Sequence, residues 1–231
     1  MCRVGMIASR INKMASQNTP SDMSVRIVRA ALNHVPFDGW SDVTLQMATE
    51  DCGLSAADLA DCLPGGVKDA IALYARLADK DMVEAFEALE AKPEKVHLKI
   101  RALILCRLAG AVPHKEAVSK SLSYLAQPQN APLASKLLYG TVDTIWRASG
   151  DDATDVSFYT KRATLAAVYS ATLLAFLSDD SADMEKTKTF LDRRLRDVAQ
   201  IPKVTAPAKA AVGKMASLAG GLAAALFQGR K

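Results

Sequence analysis

Histidine is the side chain best placed for acid–base work near neutral pH, and this chain has three: His34, His97 and His114. Only His97 has a suggestive neighbour, Glu94, in an ExxH spacing. A di-iron bundle needs two such pairs and two further inward glutamates on facing helices. One pair alone reads as a surface carboxylate and imidazole near a helix start, and no metal site is expected. HExxH, GxSxG, a phosphate-binding loop and GxGxxG are all missing, so the residues point away from an enzyme. The cysteines (Cys2, Cys52, Cys62, Cys106) show neither CxxC nor paired spacing. That favours free thiols in a reducing compartment over a disulfide frame or zinc site. The most particular stretch runs from Asp143 to Ser181. There Trp146, Phe158 and Tyr159 cluster with Asp143, Asp151, Asp152 and Asp155 around a corner at Gly150. Aromatics beside carboxylates are the composition of a binding surface.

The elements that position these residues read as helices. Val25, Val28, Leu32 and Val35 recur at helical spacing, and Asp38-Gly39 ends that helix before Trp40. Val67, Ile71, Tyr74, Leu77, Met82, Phe86 and Leu89 draw one face of a long helix, stopped by Pro93. "EKVHLKIRALILCRLAGA" follows, then a helix from about His114 to Gln127, broken at "PQNAP". "APLASKLLYGTVDTIWRAS", "DVSFYTKRATLAAVYSATLLAFLS" and the amphipathic "SADMEKTKTFLDRRLRDVAQ" complete the series. No segment alternates apolar and polar residues as a half-buried strand would, so the fold class is all-α. At 231 residues, half of them apolar and 6% aromatic, the chain can bury a mostly aliphatic core.

"SDVTLQMATEDCGLSAADLADCLPGG", Ser41 to Gly66, reads as a helix-turn-helix. Asp42 to Cys52 forms the first helix, Gly53 a left-handed turn, and Ser55 caps the second with Asp58 in the capping-box position. Yet from Ser41 to Val67 there are five carboxylates (Asp42, Glu50, Asp51, Asp58, Asp61) and no Lys or Arg. DNA binding rests on Lys and Arg neutralising phosphates. The helix that would enter the groove, "AADLADCL", carries two aspartates and no donor for guanine or phosphate. The expectation is a structural unit that does not bind nucleic acid. A helix-turn-helix, a long connecting helix and a bundle of apolar helices form a TetR-type layout. By fold-level analogy its second part encloses an apolar ligand and dimerises through its last helices.

The ends of the chain differ in character. Residues 1–22 carry Arg3, Arg10 and Lys13 and no acid before Asp22. They read as a disordered tail, an over-long start with Met14 or Met23 as the true one, or a weak organelle transit peptide, in that order. At the other end Val212, Met215, Leu218, Leu222 and Leu226, with Phe227 beside the last, draw one helical stripe. No acid follows Asp197, while Lys203, Lys209, Lys214, Arg230 and Lys231 are basic. The uncharged run from Met215 to Phe227 is shorter than the ~20 residues of a membrane span. This segment is expected to be an amphipathic helix lying on an anionic membrane surface, or else docked on the protein's own bundle. The domain reading is therefore a tail at 1–22, a helix-turn-helix-like unit at 23–66, a lipid-binding and dimerisation bundle at 67–200, and a linker with a membrane-binding helix at 201–231.

From Trp146 to Tyr169 the chain resembles the ubiquinone-biosynthesis accessory family known as coenzyme Q protein nine. The family's block looks like W-x-x-A/S-G-D-x-x-T-D-x-x-W/F-Y-T-x-R-x-x-L-A-A-x-Y. Trp146, Gly150, Asp151, Thr154, Asp155, Tyr159, Thr160, Arg162 and Tyr169 fit it. "AALNHVPFDGW", "PQNAP" and "FLDRRLRD" extend the resemblance from about Met23 to the C-terminus; Phe158 stands where the family often has Trp. The resemblance implies a TetR-like fold that has lost DNA binding and holds a lipid, including isoprenoid quinone intermediates, with no other cofactor. It implies a homodimer at a membrane surface that assists the demethoxyubiquinone hydroxylase, a di-iron enzyme. The family's partner surface maps onto Asp143, Ile145, Asp155, Phe158 and Tyr159; the lipid-pocket residues are not indicated. The location implied is the cytoplasmic face of a bacterial inner membrane or, alternatively, the matrix side of the mitochondrial inner membrane. The runner-up function is a TetR-type transcriptional regulator with a lipid effector.

Overall fold

The computed structural model describes residues 22–150 and 157–200, all in helices, turns and short connections, with no strand among them. Among the described residues nine α-helices follow one another: α1 (Asp22–Asp38), α2 (Asp42–Asp51), α3 (Ala56–Cys62), α4 (Val67–Glu87), α5 (Val96–Ala111), α6 (Lys115–Leu125), α7 (Ala131–Ala148), α8 (Ser157–Leu177) and α9 (Glu185–Gln200). Single 3₁₀ turns at Val112–His114, Pro128–Asn130 and Ala182–Met184 join α5 to α6, α6 to α7, and α8 to α9. The expected 114–127 helix is thus shorter than its sequence pattern, because a 3₁₀ turn takes over at each end. The stripe at 212–227 and the basic residues Arg3, Arg10 and Lys13 lie outside the described residues.

Local chemistry sets the helix-turn-helix. The Ser41 hydroxyl accepts from the Thr44 backbone N–H at 3.1 Å. Gly53 takes φ +66°, where a side chain would be strained, and Leu54 N–H returns to the Thr49 carbonyl at 3.0 Å. The Ser55–Asp58 capping box closes both ways, at 3.2 and 2.8 Å. The exposed face of α3 presents Ala56, Ala57, Ala60 and Asp61. The caps and turn are those of a helix-turn-helix, and the exposed face of α3 is small and acidic.

This unit has no separate core. Ile27, Val28, Ala31 and Val35 of α1 pack with Leu45 and Ala48 of α2, with Ile71 and Leu73 of α4, and with Ala117 of α6. Trp40 ties them together, its indole N–H donating to the Ala117 carbonyl at 3.2 Å and its ring tilted against Tyr74 at 5.8 Å. The core runs across residue 66 without a break. Beyond it, α4 packs on α5 and α7, and α8 on α7 and α5. Asp179, in the α8–α9 connection, accepts from the Thr187 N–H and hydroxyl at 2.7 and 2.6 Å, and so fixes the start of α9. The chain divides into two compact units after Leu191. The described part of the second is 192–200, where Arg194 and Asp197 pair at 3.1 Å.

Candidate functional site

The residues singled out in the sequence fall into three places. Glu94 and His97 are both exposed around the start of α5, and no group of three His, Cys, Asp or Glu converges among the described residues. Cys52, Cys62 and Cys106 are free thiols. At the corner between α7 and α8, Asp143 lies in two ion pairs. The guanidinium of Arg162 reaches one carboxylate oxygen through Nε and Nη2 at 2.9 and 2.8 Å, and Arg147 Nε reaches the other at 2.7 Å. Lys161 Nζ stands 5.6 Å from the centre of the Trp146 ring. Ile145, expected on a partner surface, is 0% exposed. Its position three to four residues from Thr141 and Val142 turns it into the bundle with them, so it can shape the corner only from beneath. Asp155 lies outside the described residues, as do the side chains of Phe158 and Tyr159 in the first turn of α8.

The interior holds a site that the sequence did not indicate. A cavity of about 280 Å³ lies among α4, α5, α6, α7 and α8. Most of its wall is aliphatic: Leu108, Leu122, Leu137 and Leu173 stand for a longer set of leucines and alanines. Such a lining follows from helices like α5 and α8 that are apolar on nearly every side and therefore need apolar contacts all round. A larger cavity, about 570 Å³, adjoins it; Tyr74, Arg107 and Ala111 line both.

One polar cluster interrupts this wall. Arg107 Nε donates to Asp79 at 3.0 Å, and their side chains are only 10% and 13% exposed. The Thr141 hydroxyl also donates to Asp79, at 2.9 and 3.0 Å to its two oxygens. Tyr74 and Tyr169 stand within electrostatic reach of the guanidinium. Burial pushes the Asp79 carboxyl above its ordinary value, against the downward pull of Arg107 and of the Thr141 hydroxyl. Burial likewise raises both tyrosine phenols, which keeps them as neutral O–H groups at physiological pH. One sequence signal points here: Arg107 is a lone charge inside the apolar run "ALILCRLAGA". A charge in such a run is rarely buried without a partner.

The fold defines the class first. The chain superposes on a TetR transcriptional regulator from Nitrosomonas europaea with a TM-score of 0.62, over 78% of this chain and 99% of that one, at 18% identity. It is an all-α protein of TetR-like architecture. Residues 131–202 match the COQ9 family model. The chain is 34% identical over 183 residues to the mitochondrial ubiquinone biosynthesis protein COQ9 of Rattus norvegicus, covering 74% of this chain and 57% of that protein. It is 32% identical over 179 residues to the Homo sapiens protein, with 74% and 56% covered. Against the Drosophila melanogaster protein it is 30% identical over 194 residues, with 81% and 58% covered. Residues 131–202 carry a COQ9 domain, and the chain is homologous to the COQ9 ubiquinone biosynthesis proteins, of whose length it spans a little over half. No helix among the described residues is long and apolar enough to cross a membrane.

Proposed function

We propose that this chain is a lipid-binding accessory protein of ubiquinone biosynthesis that takes up an isoprenoid quinone intermediate and presents it to the demethoxyubiquinone hydroxylase. The observation that carries the reading is the aliphatic cavity, one wall of which is built by α7 and α8 inside the COQ9 domain. A polyprenyl quinone precursor lies within the bilayer, and exposing it to water is unfavourable by about 25 cal/mol for each Å² of apolar surface. A protein with an apolar interior lowers that barrier. It supplies binding rather than catalysis, which the hydroxylase performs. The protein works as a homodimer at a membrane surface, held there by the 212–227 stripe. The relatives named mitochondrial support a mitochondrial setting, for which the reading takes the matrix side of the inner membrane; the cytoplasmic face of a bacterial inner membrane is the other setting.

Extraction of lipid from natively purified full chain, followed by mass spectrometry, tests the first step. An isoprenoid quinone intermediate at near-stoichiometric amount is expected, and a chain that carries no lipid from quinone-producing cells overturns the reading. The second step is tested by Tyr159→Ala and Phe158→Lys, each expected to weaken co-precipitation of the hydroxylase at unchanged helical content. The TetR-like fold favours one other reading, a regulator with a lipid effector. A sequence-dependent, salt-sensitive shift of genomic DNA at nanomolar protein would establish it, and the acidic α3 face argues that none occurs.

A further inference from the structure

An arginine has five N–H donors, and Arg107 uses Nε on Asp79. Among the described residues its two terminal nitrogens have no hydrogen-bond acceptor, although the side chain is nine-tenths buried and borders both cavities. The phenol hydroxyls of Tyr74 and Tyr169 likewise have no hydrogen-bond partner among the described residues, and both rings line the smaller cavity. These donors face the cavities with no protein acceptor, so a group that brings acceptors gains by entering. Asp79 is already occupied by Arg107 and Thr141, and it cancels the arginine's charge. The cluster as a whole is neutral. A phosphate or carboxylate placed here would be a desolvated, uncompensated anion.

We infer that the Arg107 fork and the hydroxyls of Tyr74 and Tyr169 recognise the ring oxygens of a neutral head group, a quinone or an alkoxy-substituted ring, whose alkyl chain fills the leucine-lined part of the cavity. This rests on the apolar-ligand reading above and adds to it a selectivity: the site prefers a neutral oxygen-bearing ring over a bare hydrocarbon or an anionic lipid. Arg107 and Tyr74 line both cavities, so the head group sits at their junction and a chain too long for one space extends into the other.

The test is calorimetric titration of delipidated full chain with three probes of equal chain length: decylubiquinone, decylbenzene and decanoate. The quinone is expected to bind at least tenfold tighter than either of the others. Tyr74→Phe with Tyr169→Phe, which removes only the two hydroxyls, should reduce that preference at least fivefold while decylbenzene binding stays unchanged. If the double variant does not fold, Tyr169→Phe alone and Arg107→Lys, which keeps the charge and loses the fork, are read in the same way. Equal affinity for quinone and decylbenzene, decanoate as tight as the quinone, or a preference untouched by these variants each overturns the inference. In those cases apolar binding itself still stands. If none of the three probes binds, the apolar-ligand reading falls and takes the inference with it.

Discussion

Two aspartate–arginine pairs lie on either side of α7, and they are built for different ends. Asp143 holds Arg162 by two hydrogen bonds to one oxygen, with Arg162 6% exposed, and takes Arg147 on the other oxygen. That pair clasps the α7–α8 corner. Asp79 holds Arg107 through a single nitrogen and leans on Thr141 for its second donor, so the rest of the guanidinium faces a cavity. Thr141 and Asp143, two residues apart on α7, lie on different sides of the same helix and so serve the two pairs. The same two residue types make a clasp where packing closes round them and a polar cavity lining where it leaves a space.

The largest expected effect separates the two. Asp143→Ala breaks a buried ion pair with Arg162 and should destabilise the chain by roughly 3–5 kcal/mol in urea unfolding. Asp79→Ala should be milder, about 1–3 kcal/mol, because Arg107 borders cavities that water can enter when no ligand is bound. Equal losses for the two variants would break the comparison. Next in size is ligand protection. A quinone probe at a hundred times its Kd should raise wild-type stability by about 2.7 kcal/mol. At the same probe concentration the Tyr74→Phe, Tyr169→Phe double variant should gain much less, whereas Arg147→Ala should gain as much as wild type.

The pH dependence sharpens the contrast further. Burial raises the Asp79 carboxyl in the folded state, so the folded chain binds that proton more readily than the unfolded one. Its contribution to stability is therefore fullest below the unfolded carboxylate range and falls as pH rises through the raised value. Asp179 is opposite. Burial works to raise it, but hydrogen bonds from Ser181 and Thr187 outweigh that and hold it well below its ordinary 3.8. Its contribution is present above pH ~4 and is lost as pH falls below that. Thermal melts from pH 6 to 3 should show acid destabilisation that Asp179→Asn flattens and Asp79→Asn steepens. The smallest effect is expected for Arg147→Ala. Arg147 is 78% exposed, and a surface ion pair of this kind is worth about 0–1 kcal/mol. A larger loss would mean that the corner is clasped from outside, by Arg147, and not from within by Arg162.

Much of the fold was legible because it is written in local chemistry. The Ser41 and Ser55 caps, the Gly53 turn and the stripe from Val67 to Phe86 each depend on residues within a few positions, and the helices form where these signals predict. The family block around Trp146 to Tyr169 was legible for a different reason: it is a contiguous pattern of distinctive residue types. Ile145 shows the limit of reading a surface from such a pattern. Position in a motif does not say which side of a helix meets the core, and the packing of α7 buries this side chain completely.

The sequence by itself determined that this is an all-helical protein with an acidic helix-turn-helix and a COQ9-like block, since periodicity, caps and contiguous motifs act over short stretches of chain. Only the tertiary structure decided where the apolar cavities lie and which polar groups line them. Asp79, Arg107, Thr141 and Tyr169 come from four helices, with 28 residues between the partners of the ion pair and 62 between Thr141 and Asp79. No local rule links them. Their meeting is set by how α4, α5, α7 and α8 pack, and the donors left facing the cavity are the part of that packing that chain neighbours do not fix.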